Sequence, residues 1–145
     1  PTVDFLAEFA GDGRALEFAI GTGRVALPLS ARGVDVAGIE MSQPMVDQML
    51  TKPGASAVAV TIGDMATARV DGAGEFHLVY LVFNTITNLL TQDEQVRCFE
   101  NAAAHLAPRG RFVIEVGVPA VRRFPVGETL ALFDVAIGQL AAKLH

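Results

Sequence analysis

A chain of 145 residues, 51% of them hydrophobic, can build one domain with a real core and leaves little room for a second. Its net charge of −5 comes with 11 Lys and Arg that are scattered rather than striped, which argues against a nucleic-acid partner. The single cysteine, Cys98, excludes an intrachain disulfide and a cysteine-based metal cluster; no apolar run reaches the ~18 residues of a membrane span, so a reducing, cytoplasmic setting without membrane or metal site is expected.

Along the chain, β-type runs alternate with helical ones. Residues 14–20 (RALEFAI) read as a first strand and 23–33 as a helix stopped by Gly33. A second strand over 34–40 finishes on Glu40, and a helix over 42–50 has Ser42 at its N-cap and Pro44 in its first turn. The third strand, 56–64, ends near Asp64. The fourth, 75–83, is apolar enough to lie centrally in a sheet, and the loop NTITN follows it. Residues 91–106 are the clearest helix. Thr91 and Glu94 have the spacing of a capping box, and Val96, Phe99, Ala103 and Leu106 recur at helical spacing and are expected to face the sheet. After a turn at Pro108-Arg109-Gly110, residues 111–116 form a fifth strand. A strand around 128–135 and a short amphipathic tail give weaker signals. This order predicts a doubly wound α/β domain: a Rossmann-like, mostly parallel sheet in a three-layer αβα arrangement, with right-handed crossovers.

In such a sheet, ligands bind at the carboxyl ends of the strands. The polar residues there are Glu17 with the Gly21–Gly23 loop, then Glu40, Asp64 and Asn84. Acids at three successive strand ends repel one another unless a ligand compensates them. The glycines let a ligand approach the backbone, and Glu40 follows at a distance suited to ribose hydroxyls. GTGRVA fits the dinucleotide pattern G-x-G-x-x-G/A as well as an adenosyl cofactor. Glu17 tips the choice, because a carboxylate is unhelpful beside a pyrophosphate but suits a ligand carrying an ammonium and a sulfonium. Asp64 can accept a hydrogen bond from an adenine amino group, with Met65 against the ring.

The motifs LEFAIGTGR, AGIEMS, GDM and VYLVFNTITNLL…HLAPRGRFVIEV, in that order, resemble the class I S-adenosylmethionine-dependent methyltransferases of small-molecule type. The likeness runs from about Arg14 to Val118. It implies a seven-stranded sheet with the last strand antiparallel, S-adenosylmethionine as cofactor, and methyl transfer to a small-molecule acceptor by in-line displacement. Glu17 would lie near the methionyl amino group, Gly21 and Gly23 under the cofactor, and Glu40 at the ribose with Met41 following it. Asp64 and Met65 would bind the adenine, and the backbone near Leu81 the methionyl end. Ala19 stands where the family's first glycine usually lies.

Asn84 and Glu115 are expected on the substrate side, and no catalytic base is assigned. His77, His105 and His145 are poor catalytic candidates, Cys98 reads as a core residue, and Arg122-Arg123 as a solvated patch. Only five strands are clear and the chain starts at Pro1, so residues 1–145 read as a single methyltransferase-like domain, truncated at both ends, with an incomplete sheet. An exposed fifth strand would favour a homodimer or a missing segment. Two alternatives stay open: an NAD-dependent oxidoreductase, supported by G-x-G-x-x-A and Glu40, and a non-catalytic cofactor-binding fragment.

Overall fold

Strands covered on both faces need apolar side chains at successive positions, and the observed strands have them. The computed structural model describes residues 1–117 throughout, together with the backbone of 130–135 and 139–144. Five strands, β1 (Arg14–Phe18), β2 (Val36–Glu40), β3 (Ala59–Ile62), β4 (Phe76–Leu81) and β5 (Leu106–Ile114), pair in parallel in the order β3-β2-β1-β4-β5. The order reverses between β1 and β4, where an open sheet of this type leaves a crevice for ligands. The backbones of β6 (Leu130–Val135) and β7 (Gln139–Leu144) pair antiparallel as a separate two-stranded sheet. The strand expected around 128–135 thus coincides largely with β6, and the tail forms β7.

Helices α1 (Thr2–Ala10), α2 (Ala26–Ser30) and α3 (Gln43–Leu50) lie on one face of the main sheet, and α4 (Gln92–His105) lies on the other. The two-residue period of β1 divides its side chains between two cores. Ala15 joins Leu6, Leu29, Met49 and Tyr80 beneath α1–α3, whereas Leu16 and Phe18 join Phe76, Cys98 and Ala102 beneath α4. The three-layer arrangement follows from that division.

Several local expectations change. Helix α1 carries Val3, Leu6, Ala7 and Ala10 at helical spacing but has no side-chain cap, so its start has no local signature. Helix α2 is shorter than 23–33 because Gly23 adopts a left-handed φ of 74° and belongs to the preceding turn. In α4 the capping box of Thr91 and Glu94 forms as expected, but the buried face is Cys98, Asn101, Ala102 and His105. Val96 and Phe99 are 48% and 51% exposed, although the Phe99 ring still meets Phe112 of β5 edge to face, with centroids 5.2 Å apart. The polar residues can go inside because their partners are there. The Asn101 amide donates to the carbonyls of Met65 (2.8 Å) and Ala68 (2.9 Å). His105 Nε2 accepts from the Val70 N–H at 3.1 Å, while its Nδ1 lies 2.7 Å from the Asn101 carbonyl. Strand β5 begins at Leu106 rather than Arg111. Leu106 pairs with Phe76, and the register shifts before Arg111 meets Leu78, so the Pro108–Gly110 turn becomes an irregularity within the strand.

Candidate functional site

The site is built on the turn after β1. Ala19, Gly21 and Gly23 all take left-handed φ values, 54°, 58° and 74°. A Cβ at Gly23 would come within 2.7 Å of the Met49 side chain, so the glycine lets α3 pack against the loop. Ala19 accepts the same backbone region with a methyl group attached. Lys52 Nζ donates to the Thr22 carbonyl at 2.7 Å and ties the loop to the chain beyond α3.

Glu40 fixes the loop from the end of β2. Its Oε2 accepts the Gly21 N–H at 2.8 Å and its Oε1 accepts the Ser42 N–H at 2.9 Å. The residue is 7% exposed, and each carboxylate oxygen retains a further lone pair for a ligand. Asp64 plays a comparable part after β3: its Oδ1 accepts the Ala66 N–H at 2.7 Å, and its carbonyl accepts the N–H groups of Thr67 and Ala68.

Two cavities meet at Ala19. One, of about 230 Å³, is bordered by Ile39, Glu40, Met41, Gly63, Asp64 and Met65, and is closed from the α4 side by Asn88, Leu89 and Glu94. The other, of about 340 Å³, is bordered by Glu17, Gly21, Thr22, Arg24, Met45, Phe83 and Thr85. The expected residues Glu17, Ala19, Gly21, Glu40, Met41, Asp64 and Met65 are thus brought together along one edge of the sheet. Gly23 supports the loop from behind, against α3.

Glu17 is 3% exposed and accepts a hydrogen bond from the Tyr80 hydroxyl at 2.9 Å. Burial pushes its carboxyl up to about 8 from an ordinary 4.5, outweighing the opposing pull of Tyr80, the Ala26 N–H and Arg24. The same burial, with Glu17 beside it, pushes the Tyr80 hydroxyl well above its usual range. Near neutral pH, Glu17 is therefore mostly protonated, even with Arg24 on the border of the same cavity.

Three expected residues lie elsewhere. Leu81 is fully buried and its carbonyl accepts the Glu115 N–H at 2.9 Å, so its backbone serves the sheet; Phe83 and Thr85 border the cavity instead. Asn84 and Glu115 border neither cavity but meet each other. The Asn84 N–H donates to the Glu115 carbonyl at 3.1 Å, Asn84 Oδ1 accepts the Gly117 N–H at 3.0 Å, and Glu115 Oε2 accepts the Phe83 N–H at 3.2 Å. Together they hold the turn after β4. Glu115 also borders a separate apolar cleft of about 460 Å³ beside α1.

Two residues not singled out from the sequence, Arg24 and Phe83, stack at the second cavity, with the guanidinium carbon 3.6 Å from the ring centroid. The only local signals were their positions, directly after the glycine loop and at the end of the fourth apolar run. Burial lowers the His105 proton affinity and raises the Cys98 thiol to about 11, so both behave as core groups. Arg122, Arg123 and His145 lie outside the described residues. No described helix is long and apolar enough to cross a membrane.

Residues 15–110 match the model of a family described as "Methyltransferase domain". Among solved structures, the CcbJ methyltransferase from Streptomyces caelestis is 33% identical with a TM-score of 0.81, over 97% of this chain and 57% of its own. CalS10, an amino pentose methyltransferase from Micromonospora echinaspora solved with S-adenosylmethionine bound, is 26% identical with a TM-score of 0.71, over 92% of this chain and 57% of its own. YqeM of Bacillus subtilis (strain 168) is 25% identical over 104 residues, which are 72% of this chain and 42% of YqeM. The chain spans about half the length of these relatives. With two thirds of its residues inside the family model, the chain belongs to the methyltransferase-domain family.

Proposed function

We propose that residues 1–145 form one cofactor-binding domain of an S-adenosylmethionine-dependent methyltransferase that acts on a small molecule. The observation that carries this reading is the row of carboxylates Glu17, Glu40 and Asp64, at the ends of three strands, around two cavities that meet at Ala19. A ligand with an ammonium at one end, a diol in the middle and an aromatic amine at the other matches that row. Glu17 receives the ammonium. Gly21 and Gly23 keep the loop close beneath the ligand. Glu40, already oriented by two backbone donors, accepts the ribose hydroxyls with Met41 beside them, and Asp64 accepts from the adenine amino group while Ile39, Met65 and Leu89 contact the ring.

S-adenosylmethionine supplies a methyl group on a cationic sulfur, which leaves as a neutral thioether. The chain's task is then to align the reactants and exclude water. Phe83 and Thr85, at the rim of the second cavity, are placed to do this at the methionyl end. An amino-sugar acceptor is the narrower expectation, because the related CalS10 is an amino pentose methyltransferase. A reducing, cytoplasmic setting is part of the reading, supported by the lone buried Cys98.

Calorimetric titration with S-adenosylmethionine, S-adenosylhomocysteine and NAD tests the reading. Saturable one-to-one binding of the first two without NAD is the expected outcome. Binding of NAD with neither of the others would overturn it in favour of a dinucleotide enzyme.

A further inference from the structure

The cavity bordered by Glu17 is also bordered by a basic side chain, Arg24, to which none of the roles above gives a task. Arg24 leaves the glycine loop directly after Gly23. Among the described residues, the ion pairs involve Arg14, Arg32 and the N-terminal amine, not Arg24. Its guanidinium rests instead on the face of Phe83, and its charge reaches Glu17.

The turn that presents Phe83 is strained. Phe83 and Asn84 take consecutive left-handed φ values of 61° and 59°; asparagine tolerates this region, but a bulky residue such as Phe83 adopts it only when neighbours hold it there. Glu115 supplies the hold on both, through its side chain to the Phe83 N–H and through its carbonyl to the Asn84 N–H. The result is an aromatic face laid beneath a guanidinium on the border of the cavity.

An α-amino acid group is recognised by an anion for its ammonium and a cation for its carboxylate. A guanidinium suits the second task because its planar fork matches a carboxylate. We propose that Arg24 binds the carboxylate at the methionyl end of the cofactor, opposite Glu17, and that Phe83 keeps the guanidinium beside that position when no cofactor is bound. An exposed cation–π contact is weak enough to yield to a charge-assisted hydrogen bond. This inference rests on the proposed S-adenosylmethionine reading.

The test compares two ligands that differ in that end alone: S-adenosylhomocysteine, which has the amino acid group, and 5′-methylthioadenosine, which lacks it. Arg24→Met should weaken S-adenosylhomocysteine by about tenfold, the loss of one charge-assisted contact, and leave 5′-methylthioadenosine within about twofold. Arg24→Lys should recover part of the loss. Equal weakening of both ligands, or no change in either, would overturn the role of Arg24 while leaving the cofactor reading intact. Failure of the unaltered chain to bind either ligand would overturn the cofactor reading itself, and this inference with it.

Discussion

Replacing Glu17 with Gln removes the carboxyl from the second cavity while keeping an oxygen for the Tyr80 hydroxyl. Burial raises the Glu17 carboxyl from 4.5 in the unfolded chain to about 8 in the folded one. Because the folded value is the higher, the proton stabilises the fold fully below about pH 4.5, and that stability is lost as pH rises through about 8. At about 1.4 kcal/mol for each tenfold difference in proton affinity, the parent chain should lose roughly 3–4 kcal/mol between pH 5 and pH 8 from this residue alone. In a domain of this size, that corresponds to a fall of roughly 10 °C in Tm which Glu17→Gln should not show. Binding should follow the opposite trend. If an ammonium pairs with ionised Glu17, affinity for S-adenosylhomocysteine should rise roughly fiftyfold from pH 6 to pH 8, as the ionised fraction grows. Thermal melts across this range, and calorimetry in buffers of different ionisation enthalpy, measure the two effects. Parallel pH profiles for the parent and Glu17→Gln, in both melting and binding, would refute the reasoning.

Ala19→Gly should stabilise the chain by about 1 kcal/mol in urea unfolding, because Ala19 carries a methyl group at φ 54°. A loss of stability would show that the methyl contributes packing that outweighs the strain. Asn101→Ala should cost about 1–3 kcal/mol, since it leaves the Met65 and Ala68 carbonyls without their buried donor. It should also weaken S-adenosylhomocysteine by loosening the turn that presents Asp64 and Met65, and unaltered affinity would separate that turn from the site.

The features legible in the sequence were those that a short segment decides. The glycine loop, the acids at the strand ends and the Thr91–Glu94 cap each depend on residues close in the chain, and each formed where the spacing placed it. Long-range pairing concealed the rest. Asn84 and Glu115 looked like two separate polar groups facing a pocket, yet β4 and β5 bring them together, and they bond to each other's segment. Apolar character puts Val96 and Phe99 on the inward face of α4, yet both are about half exposed and Phe99 reaches the sheet only at Phe112 of β5. Asn101 and His105 take that face through carbonyls and an N–H from the 65–70 loop, which no helical periodicity reports. Helix α1 lacked a cap, and the Arg24–Phe83 stack joins two elements that only the folded sheet makes neighbours.

A crystal structure of the chain with S-adenosylhomocysteine tests the central claim most directly, namely that two cavities joined at Ala19 hold one adenosyl amino acid. The predicted result has the adenine against Asp64 and Met65, the ribose on Glu40, and the ammonium within hydrogen-bond reach of Glu17. Adenine found in the Glu17 cavity, or the ligand bound away from the glycine loop, would contradict it.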